Sequence, residues 1–475
     1  MNFYRLLLPA LLALTMLEKP AAQTVPPELE NLLNNTLDSM KTVLGVKSLG
    51  AAMQLSNGAI WARSTGISSQ TPFQNVTPAH AYAIGSITKS ITAACVLQLA
   101  DEGVLNLDDP LHLWLDTFQF VNPNITIRQL LRHESGLYDV ITNPAYNTAN
   151  NATLDSIWSL ENLIRDFMKP QLFAPGAGWS YSNTNYALLG LIVEEAAGNT
   201  YYAEYRERFF TPLGLSSLAL IPYDPLPVPR AHLWLNLGSG TLEDADWFFS
   251  NWISFFTSAG PMGGYFSTPT DVAVWMRAFM SGQLHTPGIM AQAKTVVTAP
   301  GLPGGTKYGL GLMERTLLGY KGYGHGGDIG YSSFSLYFPD KDVSIAVLNN
   351  DQTKTSWALV PVIQALLKAC INYEMSVSAN SPFETNDLAI TFSPNPFSEK
   401  LGISIELPQK AESVEVVLTN SMGQEVAANA ASDLPVGNQD LSIANLENLP
   451  EGIYFARLSV DGKPVRAVKV VRGKQ

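Results

Sequence analysis

Only two cysteines, Cys95 and Cys370, occur in the 475 residues, and no Cys-x-x-Cys, His-Glu-x-x-His or zinc-spaced Cys/His cluster accompanies them. Neither a structural nor a catalytic metal is therefore expected, and nothing points to another cofactor. Both cysteines fall in apolar, helix-like stretches far apart in the chain, which favours two buried free thiols over a disulfide. Charge is also scarce: 15% of residues are Asp, Glu, Lys or Arg, with a formal net charge of −12. An acidic chain without basic runs is a poor partner for nucleic acid or an anionic membrane surface. Long apolar runs are missing too. The one candidate, Leu6 to Leu17, is too short to cross a bilayer, so no transmembrane span is expected in the mature protein.

That short run has another use. Arg5 before it and Pro20-Ala21-Ala22 after it read as a secretory signal over residues 1–23. Export follows as an expectation: the periplasm in transit, then the cell surface or the medium. Hydrophobic residues make up 46% of the chain, enough for a large core, and the length allows more than one domain.

Residues 27–375 read as one domain. Pro27 to Leu44 has helical periodicity, and Leu49 to Leu55, Ser56-Asn57-Gly58 and Ala59 to Arg63 read as strand, turn and strand. From about Ser86 to Phe279 the pattern is helices and Pro/Gly-punctuated loops. Strands return around Tyr308 to Met313 and Tyr331 to Leu348, and a helix runs from Trp357 to about Tyr373. Terminal helices and strands around a helical insertion predict an α/β (α+β) fold, an antiparallel sheet flanked by helices beside a helical lobe. Ser, Asn, Pro and Thr dominate 376–387, a linker by composition. Short alternating runs then fill 388–475: Leu388 to Thr391, Leu401 to Leu407, Val414 to Leu418, Asp440 to Ile443, Ile453 to Val460 and Ala467 to Val471. These predict a small all-β sandwich.

Three motifs carry chemistry. Ser86-Ile87-Thr88-Lys89 is the only Ser-x-x-Lys in the chain. On a helix, residues three apart share a face, so Lys89 would stand beside Ser86, where its amine could take the hydroxyl's proton. The helix N-terminus adds free N–H groups beside a reacting carbonyl. Alone, such a tetrad is more often a cap with a solvated lysine. Tyr181-Ser182-Asn183 and His325-Gly326-Gly327, the only Tyr-x-Asn and His-x-Gly, follow in order and change that balance.

Ser-x-x-Lys, Tyr-x-Asn and His-x-Gly in this order resemble the penicillin-recognising serine hydrolases, in the branch of class C β-lactamases, D-alanyl-D-alanine carboxypeptidases and related esterases and D-aminopeptidases. Leu107-Asp108-Asp109-Pro110, Ile127 to Leu137, Ser258-Ala259-Gly260 and Ser267 to Asp271 extend the similarity across residues 27–375. Neither Ser-Asp-Asn nor Lys-Thr-Gly is present, which disfavours class A, and no Gly-x-Ser-x-Gly elbow occurs. The resemblance implies a serine β-lactamase/DD-peptidase-like fold with the site between sheet and helical lobe. It implies Ser86 as acylated nucleophile and Lys89 with Tyr181 as the general base, a nearby ammonium lowering the phenol's pKa. The resting proton's location stays open between them. Asn183 would donate to a substrate amide carbonyl, and His325 would hydrogen-bond Tyr181 or Ser86. The N–H groups of Ser86 and Asp328, just past Gly327, would form the oxyanion hole. Trp252, Phe255 and Phe256 stand where relatives place a pocket wall, with core packing as the equal alternative for each.

Departures bear on substrate. Carboxypeptidases of this branch often have Thr within the third motif and a hydroxyl just after it, which hold a terminal carboxylate; here Gly326 and Asp328 occupy those positions. An acidic side chain there repels such a carboxylate, and Arg315 is the only nearby clamp candidate. The reading favoured is a secreted serine hydrolase cleaving an ester, an amide or a D-amino-acid peptide bond through an acyl-enzyme on Ser86. The first alternative is a D-alanyl-D-alanine carboxypeptidase or β-lactamase, and the second a non-catalytic peptidoglycan or peptide binder. In 388–475, Ser393 to Phe397, Asn420 to Val426 and Leu449 to Tyr454 are similar to the C-terminal sorting domain of Bacteroidetes type IX secretion cargo. That resemblance implies the type IX machinery as partner; a carbohydrate-binding or adhesion module is the alternative.

Overall fold

The computed structural model describes residues 24–249, 252–380, 389–420, 425–461 and 463–473. The expected signal, 1–23, lies outside the described residues, as does most of the expected linker.

Helix α1 (Pro27–Leu44) buries Leu29, Leu33 and Leu37, one stripe at four-residue spacing. Glu28 and Glu30 sit in its first turn, Lys41 in its last, and Gly45 closes it at φ +68°, all favourable for helix ends. The chain then enters a nine-stranded antiparallel sheet through β1 (Ser48–Gln54), β2 (Ile60–Gln70) and β3 (Phe73–Asn75). It leaves for the helical lobe and returns as β4 (Val297–Thr298), β5 (Lys307–Tyr308), β6 (Met313–Leu317), β7 (Tyr320–Ile329), β8 (Tyr331–Phe338) and β9 (Val343–Asn349). The spatial order is β3-β2-β1-β9-β8-β7-β6-β5-β4, so the chain's two halves meet where β1 pairs with β9. Strands β8 and β9 are buried at every residue, which is why they read as unbroken apolar and small runs rather than alternating ones.

The lobe supplies α2 (Thr88–Asp101), α3 (Ile127–Arg132), α4 (Asn183–Ala197) and α5 (Ile253–Gly263); α6 (Pro269–Met280) packs on one sheet face, and α1 with α7 (Val360–Asn380) covers the other. Helix α2 is buried nearly all round, Thr88 to Leu97 without a break. It is the central helix, packed against α4 and α5. Helix α7 continues to Asn380, past the expected end near Tyr373, so the first five residues of the expected linker are helical.

The C-terminal module has its own core of Leu401, Ile403, Val414, Val416, Leu418, Ala456 and Leu458 among others. One sheet is β10 (Ile390–Ser393), β11 (Leu401–Leu407) and β14 (Gly437–Ile443) in that order; the other runs β13 (Glu425–Leu434), β12 (Ala411–Asn420), β15 (Gly452–Val460) and β16 (Lys463–Arg472). Strand β13 was not expected. Its Ala-rich, polar sequence has little β-propensity, and pairing with β12 holds it in place.

Candidate active site

Ser86 sits in a single 3₁₀ turn, Gly85–Ile87, that runs directly into α2. Gly85 takes φ +51° there, and a Cβ on it would stand 2.9 Å from the Asp328 nitrogen. From the facing strand β7, a Cβ on Gly327 would lie 2.1 Å from the Ile84 carbonyl oxygen and 2.8 Å from the Ser86 nitrogen. Two glycines thus let the serine turn and β7 touch backbone to backbone, which brings the amides of Ser86 and Asp328 to one place. Gly327→Ala would force them apart. We expect a loss of about 1–3 kcal/mol, the usual cost of overpacking, read as a lowered thermal midpoint together with impaired turnover.

Lys89 is fully buried in the first turn of α2, three residues past Ser86. Its Nζ lies 3.0 Å from Ser86 Oγ, 2.6 Å from Asn183 Oδ1 and 2.6 Å from the Met262 carbonyl oxygen. The Met262 carbonyl is free because it falls in the last turn of α5, where helical carbonyls lack an intrahelical partner. Burial pushes the Lys89 ammonium down to about 7, against the opposing pull of Asp139. A neutral amine suits the geometry: two N–H groups donate to the two acceptor-only oxygens, and its lone pair is left for the Ser86 hydroxyl.

Tyr181 departs from expectation. Burial raises its phenol well above the usual tyrosine value, with a hydrogen bond to Ser86 pulling the other way. Lys89 Nζ stands over the ring face, 5.0 Å from the centroid. Tyr181 is therefore a protonated phenol near Ser86, able to donate rather than to act as a resting base. Asn183 departs as well. Its amide oxygen is taken by Lys89 and its Nδ2 donates to Asp139 Oδ2 at 2.9 Å, so one of its two N–H donors is spent away from any substrate.

His325 needs the clearest correction. It is fully buried and bonds neither Tyr181 nor Ser86. Its Nε2 meets Tyr308 Oη at 2.9 Å, and Nδ1 faces the Gly326 carbonyl at 2.6 Å. The Tyr308 hydroxyl also meets His133 Nε2 at 3.2 Å, while His133 Nδ1 faces the Ser182 N–H and Asn185 Nδ2. The assignments follow in sequence. His133 Nδ1 must accept, so its Nε2 donates to Tyr308, whose hydroxyl donates to His325 Nε2, and His325 Nδ1–H donates to Gly326. Burial pushes His325 down to about 3, Lys89 adding to the effect. His325 is a neutral strut between lobe and sheet, not a substrate ligand.

Asp328 is exposed as a residue, but its carboxylate turns inward and accepts from the Ser356 N–H and Oγ, each at 2.6 Å. That inward placement raises its carboxyl above the usual range, the Ser356 bonds opposing the shift. A cavity of about 160 Å³ opens on Ser86, lined by Ile141, Tyr146, Phe255, Met262 and Asp328 among others. Phe255 is thus a wall residue, while Phe256 is core and Trp252 stacks behind Phe255 at 4.3 Å. Arg315 is committed elsewhere, to the Pro303 carbonyl and Thr306 Oγ1. A larger cleft, about 380 Å³ around Arg206 and Asp224, contains none of the three motifs. Of the residues placed here, Asp139, His133, Tyr308 and the Met262 carbonyl had no role in the sequence reading. His133 lay inside the stretch Ile127 to Leu137, but Asp139 carries no local signal.

This arrangement can be set beside known proteins. Residues 37–365 match the family model described as beta-lactamase. The chain belongs to that family. Penicillin-binding protein 4 of Amycolatopsis lactamdurans is 30% identical over 330 residues, 65% of this chain and 80% of its own. Esterase EstB of Burkholderia gladioli is 33% identical over 155 residues, 30% of this chain and 39% of its own. Among solved structures, a D-stereospecific amidohydrolase from Streptomyces sp. is similar at 29% identity and TM-score 0.60, covering 71% of this chain and 98% of that one. The beta-lactamase domain is thus a serine-hydrolase fold shared by amidases, esterases and penicillin-binding proteins. Residues 391–471 match the secretion system C-terminal sorting domain, which marks the chain for type IX export to the cell surface or the medium. No helix among the described residues is long and apolar enough to cross a membrane, and no metal-holding cluster is found among them.

Proposed function

We propose that this beta-lactamase-family protein is an acyl-serine hydrolase that cleaves an ester, an amide or a D-amino-acid peptide bond whose acyl part is apolar and whose leaving part has no free carboxylate. The observation that carries the reading is the Lys89 amine, fully buried and 3.0 Å from Ser86 Oγ, with its other hydrogen-bond partners both acceptors. Lys89 takes the Ser86 proton as the hydroxyl attacks. The N–H groups of Ser86 and Asp328 receive the developing oxyanion, usually the largest catalytic contribution. Tyr181, a neutral phenol, hands its proton to the leaving group and recovers one from Lys89. Apolar walls at Ile141, Phe255 and Met262 suit an apolar acyl group. Asp328 is the acidic group on the cavity wall, and the candidate cation Arg315 is bound elsewhere. A substrate carboxylate meets repulsion there without a clamp. The Streptomyces amidohydrolase, D-stereospecific by description, supports this direction.

The test compares an acyl-D-alanyl-D-alanine acid, its C-terminal amide and a neutral aryl ester. Ester and amide turn over while the acid lags. Asp328→Thr raises the acid-to-amide ratio of kcat/KM by about ten- to a hundredfold, the scale of a charged hydrogen bond gained with a repulsion removed. A wild-type enzyme that prefers the acid would establish the carboxypeptidase reading instead.

A further inference from the structure

One titratable group at the site has no part in the chemistry above: the carboxylate of Asp139. It caps the short turn Val140–Thr142 of the helical lobe, where Oδ1 faces the Ile141 N–H at 3.4 Å. Its other oxygen accepts from Asn183 Nδ2 at 2.9 Å, the far end of the same amide accepts from Lys89 Nζ at 2.6 Å, and Nζ stands 3.0 Å from Ser86 Oγ. The orientation of the Asn183 amide is forced, because only its NH₂ end can face a carboxylate and only its oxygen can face an amine. One side chain therefore joins anion to base across the lobe.

We infer that Asp139 is a positioning residue that sets the proton affinity of Lys89 through Asn183, without touching substrate. The inference rests on the reading of Lys89 as the base for Ser86.

The surroundings of Lys89 single out Asp139. The turn that leads into α2 offers Ser86; α5 offers the Met262 carbonyl; α4 offers Asn183 and the Tyr186 ring at 5.4 Å. Before α4 comes the Tyr181 ring at 5.0 Å, while α3 ends in His133 and β7 contributes His325. Burial keeps both imidazoles and both phenols neutral. Asp139 is the group whose charge favours the ammonium, against a burial that favours the free amine. The same burial raises Asp139's own carboxyl, with Asn183 and Lys89 holding it down. Amine and carboxylate thus steady each other through the amide. The sign follows directly. Without the anion, the ammonium loses support, and the free amine persists to lower pH.

Asp139→Asn removes the charge and keeps a side chain that caps equally well, so the turn survives. Asp139→Glu keeps the charge. In the full chain, ¹³C-labelled lysine NMR, with Lys89 assigned by its loss in Lys89→Met, reads the titration of Lys89 without reference to turnover. We expect the midpoint to fall by about one pH unit or more in Asp139→Asn, as for loss of a nearby opposite charge, and to recover in Asp139→Glu. The acid limb of kcat/KM for a neutral aryl ester should shift by the same amount, with a plateau lowered by the weaker base. An unmoved Lys89 midpoint, with or without lost activity, overturns the inference and leaves Asp139 a turn cap. A midpoint that moves in a protein that never acylates Ser86 upholds the coupling and overturns the hydrolase reading instead.

Discussion

Lys89→Ala lowers kcat/KM for a neutral ester by about 10²- to 10⁴-fold, the range expected for loss of a placed general base. It also removes the acid limb of the pH profile. In the wild type that limb lies near pH 7, because burial brings the Lys89 ammonium down to about 7. The free amine is the working form, so activity rises with pH through that point and falls as the amine is protonated below it. The imidazoles and the phenol at the site give no limb there. His325 is held at about 3, His133 is likewise lowered by burial, and Tyr181 is raised beyond the working range. Steady-state kinetics from pH 5 to 9 on both proteins checks this. A limb near 7 that survives in Lys89→Ala assigns the proton transfer elsewhere.

Deleting the chain from residue 386 onward abolishes delivery to the surface while leaving hydrolysis intact. The cores are separate: Leu401, Val416 and Leu458 belong to a cluster that shares no residue with the two of the hydrolase domain. A module with its own core folds independently of its neighbour. The sorting domain match over residues 391–471 ties that module to export, so the truncated enzyme should collect in the periplasm with its kcat/KM unchanged. Fractionation of cells and medium, with an activity assay on each fraction, reads both halves at once. Normal surface delivery would contradict the sorting role, and lost activity would contradict the separation of domains.

The parts of this molecule that were legible in its sequence are those set by local pattern. The helical periodicity of Pro27 to Leu44 marked α1, and the strand pattern of Tyr331 to Leu348 marked β8 and β9. The motif spacing placed Lys89 beside Ser86, because three residues on a helix make one turn. What stayed hidden depends on long-range packing. Strand β7 carries glycines at 322, 324, 326 and 327, poor strand formers, and it is Gly327 that lets the strand approach Ser86. The partners of His325 could not be read either. Tyr308 lies on another strand and His133 in the other lobe, and only the folded chain lines them up. The pKa of Tyr181 was misjudged for a related reason: spacing shows a lysine nearby, but not that burial of the phenol outweighs it. Asp139 reaches Lys89 through one amide 44 residues further on, a relation no local pattern records.

On the proposed mechanism, Ser86 becomes acylated because Lys89 activates it. Mass spectrometry of the intact chain and its peptides after incubation with a fluorophosphonate reads this activation. One added label per chain is expected on the peptide containing Ser86, with a labelling rate that rises with pH through about 7 and no label on Ser86→Ala. A wild-type protein that stays unlabelled, or a label that persists in Ser86→Ala, would contradict it.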